Sequence, residues 1–547
     1  MVGRFLLVAA VTIIHARTWQ THAFASIMPS ATARYDNFKA NDAKIIGTVA
    51  ILIPSTDADV ALSKYGTTSP VGNPTIGDAA TQLANKLCWF SEGAVTTTIV
   101  PAAAMDEQSS SWQDLKNVDA VIALGLTSVE DMNFARQLFE SRRQPDSSIR
   151  QPHQRLCHLG LDCVGPLPVR VGPYKDDGTC WQSFIPWTAH ASGLRLAKQM
   201  RGLMERWSAD DFAVALLLFF NQFSGSTIDW VKYSIDATWE KGPVQNFNEL
   251  SSMVTKCGDC ITKCVADENC KKCLDELTSL DTRDQVASYR TIVSFESELL
   301  KDFSYCILQK NNIFNCKAEI PTMPVVESMA SWRGAPLTVD VARSLLVGHL
   351  KDDAAPTGSL GLDISWKVAC GANVAYDQFP SQNQIFYESV NGKDIWYDPV
   401  FRVETIDGRN VWCKRHYKVR NGPTAGTFRF SVLDNGITSI EFWTIVGVAD
   451  DLSWMVFHYA GAASAVGQRY LGGLLCTPDG SLPAAEQLPE VWKVFSRAGI
   501  QPWELYMVDN SVDSAGALDA GTPPLTFYRD EVLALKAKKG AENLVPS

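Results

Sequence analysis

Seven cysteines crowd between Cys257 and Cys316, half of the 14 in the chain, and their spacing limits the chemistry open to them. Cys257-Gly258-Asp259-Cys260 and Cys270-Lys271-Lys272-Cys273 are both C-x2-C pairs, with nine residues between Cys260 and Cys270, a spacing that suits a zinc ion held by four thiolates. Cys264 interrupts that pattern, no nearby histidine completes another ligand set, and Cys306 and Cys316 follow on a helical stretch. Disulfides among Cys257, Cys260, Cys264, Cys270, Cys273, Cys306 and Cys316 are the favoured reading, with zinc and a thiol switch as alternatives, and no metal is expected. His416 and His458 stand in strand-like segments, where an exposed imidazole gains charge as the pH falls; a lone strand histidine is more often a hydrogen-bonded structural residue. Lys414, Arg415, His416, Lys418 and Arg420 form a basic run, ordinarily a solvated strand face and in the sharper reading a site for an acidic lipid headgroup. No glycine-rich phosphate loop accompanies any strand, since Gly125 alone follows the third one, so nucleotide chemistry has no motif behind it.

These groups are positioned by a long and heterogeneous chain. Its 547 residues exceed one hydrophobic core, and a net charge of -11 speaks against an overall nucleic-acid-binding surface. Residues 1–42 read as an address: Arg4, the apolar run Phe5 to Ile14, a small-residue cleavage point at Ala23, then a Ser-, Ala- and Arg-containing stretch with no acid before Asp36. His22-Ala23-Phe24-Ala25 resembles the bipartite plastid leader of algae with secondary red plastids, with plain secretion as the alternative. The best internal apolar run, Ala213 to Phe220, is too short to cross a bilayer, so membrane contact would be peripheral.

From 43 to 185, alternating strand and helix patterns (IIGTVAILIP, TIGDAATQLANKLCWF, AVTTTIVPA, NVDAVIALG, SVEDMNFARQLFESRR) predict a small α/β domain. A helical segment over 186–256 leads into the Cys-rich helical stretch 257–320, and a proline-marked linker spans 321–356. Over 357–480 about eight short strand-like segments follow one another, punctuated by turns, with one helix at 488–498 inside a terminal region 481–547. The whole is a multidomain α+β chain: an N-terminal α/β domain, a Cys-rich helical segment and an eight-stranded antiparallel barrel with a C-terminal helix. A barrel of eight strands has an interior just wide enough for side chains or one small ligand.

Trp366 in LDISWKVACG looks like the tryptophan that opens the first strand of lipocalins. Reading on, SWKVACGANVAYDQFPSQNQIFY resembles the first strand and loop of violaxanthin de-epoxidases, in which a Gly and an Asn precede an aromatic-Asp-x-Phe motif, here Gly371, Asn373, Tyr376, Asp377 and Phe379. FESELLKDFSYC before the barrel and FHYAG followed by Tyr470, Gly472 and Gly473 extend the match, which is most similar to the de-epoxidase-related subgroup of algae with secondary plastids. The resemblance implies Asp377 as the general acid, with Trp366, Tyr376, Phe379, Gln384, His458 and Tyr459 as substrate-binding residues. It implies ascorbate as reducing co-substrate, an epoxidised carotenoid of the violaxanthin or diadinoxanthin class as substrate, and a plastid setting in the thylakoid lumen or on its membrane lipid. Nucleic acid is no expected partner, and a homodimer is compatible with the family. The family's second Asp and Cys are replaced by Pro380 and Ser381, and its histidine by Gln384, so an epoxide isomerase forming an allenic xanthophyll and a non-catalytic carotenoid or lipid binder stand as alternatives.

Overall fold

The computed structural model describes residues 47–56, 69–90, 95–103, 109–142 except 119, 157–163 except 162, 247–279, 285–313, 320–347 except 321 and 325, 366–388 except 374–376 and 378, and 394–512 except 467. The leader, Tyr376, Cys316 and most of the helical segment expected over 186–256 lie outside these residues. The chain divides into two compact units, Tyr35–Tyr233 and Ser234–Ser547 together with 1–34.

In the first unit, β1 (Gly47–Ile53), β2 (Val95–Pro101), β3 (Ala120–Leu124) and β4 (Cys157–Leu161) form a parallel sheet in the order β2-β1-β3-β4. The crossovers carry α1 (Ile76–Phe90), α2 (Ser110–Asn117) and α3 (Val129–Ser141). Ser109 and Ser128 cap α2 and α3 by accepting from the Trp112 and Asp131 backbone N–H groups. Buried Arg142 donates to the Leu115, Lys116 and Val118 carbonyls at 2.6, 3.0 and 2.7 Å, so its charge satisfies the free carbonyls at the end of α2.

The second unit begins with α4 (Phe247–Ala266), α5 (Glu268–Ser279), α6 (Gln285–Ser294) and α7 (Glu298–Ser304), the last running into a π-helical turn, Tyr305–Lys310. Disulfides join Cys257 to Cys306 and Cys264 to Cys270. One cysteine of each C-x2-C pair is thereby bonded elsewhere; Cys260 and Cys273 remain thiols, and burial pushes Cys273 up to about 12.

Eight antiparallel strands follow and close on themselves: β7 (Trp366–Gly371), β8 (Asn383–Glu388), β9 (Ile395–Glu404), β11 (Tyr417–Asn421), β12 (Thr427–Asp434), β13 (Ile437–Val448), β14 (Met455–Ala463) and β15 (Gln468–Thr477). β8 pairs with both β7 and β9, which completes the ring; β10 (Asn410–Lys414) and β16 (Tyr506–Met507) are side branches on β9 and β7. The stretch NVWCKRHYKV, expected as one strand, is split between β10 and β11 at Arg415 and His416. Helix α9 (Leu488–Arg497) lays Val491, Val494 and Phe495 on the outer wall beside Val446, Val456 and Leu475.

The linker reading of 321–356 does not hold for its described part. The hairpin β5 (Ser331–Trp332) and β6 (Ala335–Pro336) leads into α8 (Val339–Val347), whose Ala342, Leu345 and Leu346 are buried in the barrel core with Trp366. An amphipathic helix next to an open barrel end buries its apolar face there, and the prolines mark turns rather than a domain boundary. Helix α4 runs unbroken across position 257, where the Cys-rich stretch begins.

Candidate acid site in the barrel lumen

Side chains alternate between the two faces of a strand, and a register shift in β7 decides which face Gly371 takes. β15 pairs Cys476 with Val368 but Leu475 with Cys370, so Ala369 is an extra residue; Ala369, Cys370 and Leu475 then share the outer cluster, and Gly371 turns inward opposite Leu474. Its missing side chain makes room for Asp377: a Cβ on Gly371 would lie 2.2 Å from the Asp377 Cβ.

Asp377 is almost wholly buried. It donates its own backbone N–H to the Asn373 carbonyl at 2.7 Å. Its Oδ2 accepts from the Asn373 N–H at 2.6 Å, and the Tyr459 hydroxyl lies 2.9 and 3.0 Å from the two carboxyl oxygens. Burial raises the Asp377 pKa from 3.8 to about 8, assisted by the nearby Glu441 charge and opposed by the Asn373 and Tyr459 hydrogen bonds. The group therefore carries a proton at neutral pH.

Glu441 is a second lumenal carboxyl that sequence reading missed. Tyr470 Oη donates to its Oε1 at 2.7 Å, Trp443 Nε1 to its Oε2 at 2.6 Å, and the Tyr417 hydroxyl bonds it as well. Burial raises its pKa too, against those three hydrogen bonds. The available signal was the strand pattern IEFWTIV, where Glu441 shares the parity of Trp443 and Ile445 and so points where apolar residues point.

Two cross-strand pairs, Tyr459 with Gly472 and Gly461 with Tyr470, have their members in opposite order on β14 and β15. Each tyrosine leans over the glycine of the other strand: a Cβ on Gly472 would meet Tyr459 Oη at 2.3 Å, and one on Gly461 would meet the Tyr470 ring at 2.6 Å and Glu441 Cγ at 2.8 Å. Tyr459 thereby crosses β15 to reach Asp377 above β7, and Tyr470 crosses β14 to reach Glu441 on β13. Below them the lumen is aromatic, with Trp443 stacked on Tyr459 at 5.3 Å and on Phe430 at 4.6 Å, and Phe386 on Tyr397 at 4.6 Å. None of the described strand residues on the lumenal face is Lys, Arg or His. A protonated carboxyl beside a phenol, among aromatic rings and with no cation on the described lumenal strand residues, can deliver a proton to a neutral oxygen acceptor.

The other expected site residues disperse. Trp366 is fully buried toward the α8 end and donates its indole N–H to the Leu345 carbonyl at 3.1 Å. Gln384, its register partner, faces the lumen and accepts from the Tyr397 hydroxyl. Phe379 stacks on Phe401 at 5.6 Å and lies 5.6 Å from Tyr289, anchoring α6 to the barrel. His458 is buried on the face of β14 opposite Tyr459, in register with Thr444 and Gly473. His416 stacks on Trp396 at 4.4 Å with its Nδ1 2.6 Å from Asp398, which also accepts from Tyr387 Oη at 2.8 Å. Among the described residues no cluster of three or more His, Cys, Asp or Glu is arranged to hold a metal ion.

The model of the VDE lipocalin domain matches residues 249–510. No curated protein sequence matches the chain. Among solved structures, lobster apocrustacyanin A1 is similar at 12% identity over 26% of this chain and 75% of its own, with a TM-score of 0.21. The siderocalin Ex-FABP is similar at 8% identity over 27% and 93%, TM-score 0.21, and the bovine lipocalin allergen Bos d 2 at 9% over 26% and 88%, TM-score 0.20. With the closed eight-stranded barrel and the family match together, residues 249–510 of this chain form a lipocalin domain of the violaxanthin de-epoxidase type.

Proposed function

We propose that the lumen binds an epoxidised xanthophyll of the violaxanthin or diadinoxanthin class and that Asp377 protonates its epoxide oxygen. The observation that carries this reading is a buried carboxyl held protonated near neutral pH and hydrogen-bonded to Tyr459. Protonation weakens the strained C–O bond, and the aromatic wall suits the polyene and its ring. With ascorbate as an enediol reductant, the epoxide and ascorbic acid become an alkene, dehydroascorbate and water. A lumen with two acids and no described cation on its walls favours the uncharged reductant, so turnover rises as ascorbate is protonated. The plastid address and thylakoid membrane expected from the sequence are the matching setting.

The same pair of carboxyls favours one second reading, a redox-neutral isomerisation in which Asp377 gives a proton to oxygen and Glu441, once ionised, takes one from carbon. Oxidatively refolded protein, galactolipid-dispersed violaxanthin and ascorbate separate the readings by chromatography and mass. De-epoxidised pigment formed with ascorbate is the expected outcome, and Asp377→Asn abolishes it. A product of unchanged mass without ascorbate supports the isomerase; pigment bound but unconverted under both conditions supports a binder and refutes catalysis.

A further inference from the structure

The sheet of the α/β unit ends on an unprotected strand. In the order β2-β1-β3-β4, β2 is hydrogen-bonded on one side to β1, and among the described residues no strand pairs with its other side. Alternate residues over 96–100 therefore turn backbone N–H and C=O groups away from the sheet. Proteins commonly blunt such an edge with lysines, inward-pointing charges, a bulge or a proline. β2, Val-Thr-Thr-Thr-Ile-Val-Pro, has only the proline, at its last position. Its first six residues are all β-branched and none is charged, a composition that favours strand pairing. Thr96 and Thr98 are exposed on one face, beside Thr48 and Ala50 of β1, while Val100 on the same face packs against the cluster that holds Leu52 and Trp112. Thr97 and Ile99 are half-buried on the other face.

Charge and symmetry select the occupant of this edge. With a net charge of -11 two copies of the chain repel at long range, but at β2 a second copy meets no charge at all. The strand is also complementary to itself. Turned about a two-fold axis at Thr98, it sets Thr98 opposite Thr98, Thr97 opposite Ile99 and Thr96 opposite Val100, threonine and β-branched pairs of the kind that stabilise antiparallel sheets. We propose that β2 pairs antiparallel with β2 of a second copy of this chain, joining two four-stranded sheets into one. Each copy has one β2, so the pairing closes at a dimer. Its 7 residues per copy fall short of the roughly 20–30 a side of a stable interface, so the dimer is weak and depends on concentration. The α/β unit lies outside residues 249–510, and the proposal does not need the epoxide chemistry to be right.

The test is sedimentation velocity of the full-length protein at about 1 µM and about 100 µM, with monomer expected at the lower concentration and dimer at the higher. Thr96→Lys/Thr98→Lys, at two exposed positions, places like charges across the axis and is expected to weaken the dimer about tenfold. Single cysteines read the register separately and disturb the strand less. Directly opposed residues of an antiparallel pair have Cα atoms about 4.5–5.5 Å apart, within disulfide range. Thr98→Cys is therefore expected to give a disulfide-linked dimer in oxidised glutathione. Thr96→Cys, opposed to Val100, is expected to give no more than wild type, whose own thiols set the background. Wild type that stays monomeric at about 100 µM overturns the proposal and leaves the edge to a strand of another protein. A dimer that the lysine variant does not weaken, assemblies larger than a dimer, or equal cross-linking of the two cysteine variants overturns it as well.

Discussion

A carboxyl and a phenol 2.9 Å apart inside an apolar barrel set the pH behaviour of this protein. The folded-state pKa of Asp377 is raised from 3.8 to about 8, so the fold prefers the protonated form. Below pH about 4 both folded and unfolded chains hold that proton, and the group costs nothing. As the pH rises from about 4 to about 8 the unfolded chain releases it first, so stability falls, by at most about 1.4 kcal/mol per pH unit, and then levels off. Glu441 contributes with the same sign, because burial raises its pKa too. Thermal midpoints measured from pH 5 to pH 9 are expected to decline, and Asp377→Asn, which cannot ionise, is expected to flatten the decline. An undiminished slope in the variant would show that Asp377 does not hold the proton.

At the scale of elements, glycines in β7, β14 and β15 create the polar part of the lumen. Gly371→Ala places a methyl 2.2 Å from the Asp377 Cβ, a contact that only displacement of the loop relieves. Overpacking of this kind costs about 1–3 kcal/mol in denaturant melts, and turnover is expected to fall to the level of Asp377→Asn. Gly472→Ala, aimed at Tyr459 Oη, is expected to cost less turnover, since Asp377 keeps its Asn373 hydrogen bond. Much of the barrel was legible beforehand, because its segments alternate apolar and polar residues and NG or DG turns separate several of them. Asp377 was legible through the motif that follows Trp366, whereas Phe379, in the same motif, serves the α6 contact instead of the lumen. Glu441 was not, because strand alternation fixes a face only once the neighbouring strands and their register are known. The role of α8 was hidden for a related reason: a short amphipathic helix between prolines reads alike whether it bridges two units or closes a barrel.

At the scale of the whole molecule, each hydrophobic cluster of the described residues draws its members from a single unit. The cluster of the α/β unit draws on positions from Ala50 to Cys163, and those of the barrel and its helices on positions from Met253 to Val508. Both disulfides, Asp377, Glu441 and their hydrogen-bond partners belong to the second set. Cooperative unfolding follows shared cores, so a fragment of residues 247–512, oxidised during refolding, is expected to unfold in one transition with a midpoint within a few degrees of the barrel transition in the full chain. The near-ultraviolet circular dichroism of the packed Trp443, Tyr459 and Tyr397 rings reports whether the lumen is formed, and the pH slope assigned to Asp377 should persist in the fragment. Retained secondary structure with lost near-ultraviolet signal would mean that the lumen needs the α/β unit to pack, and the acid site would then be a property of the full chain.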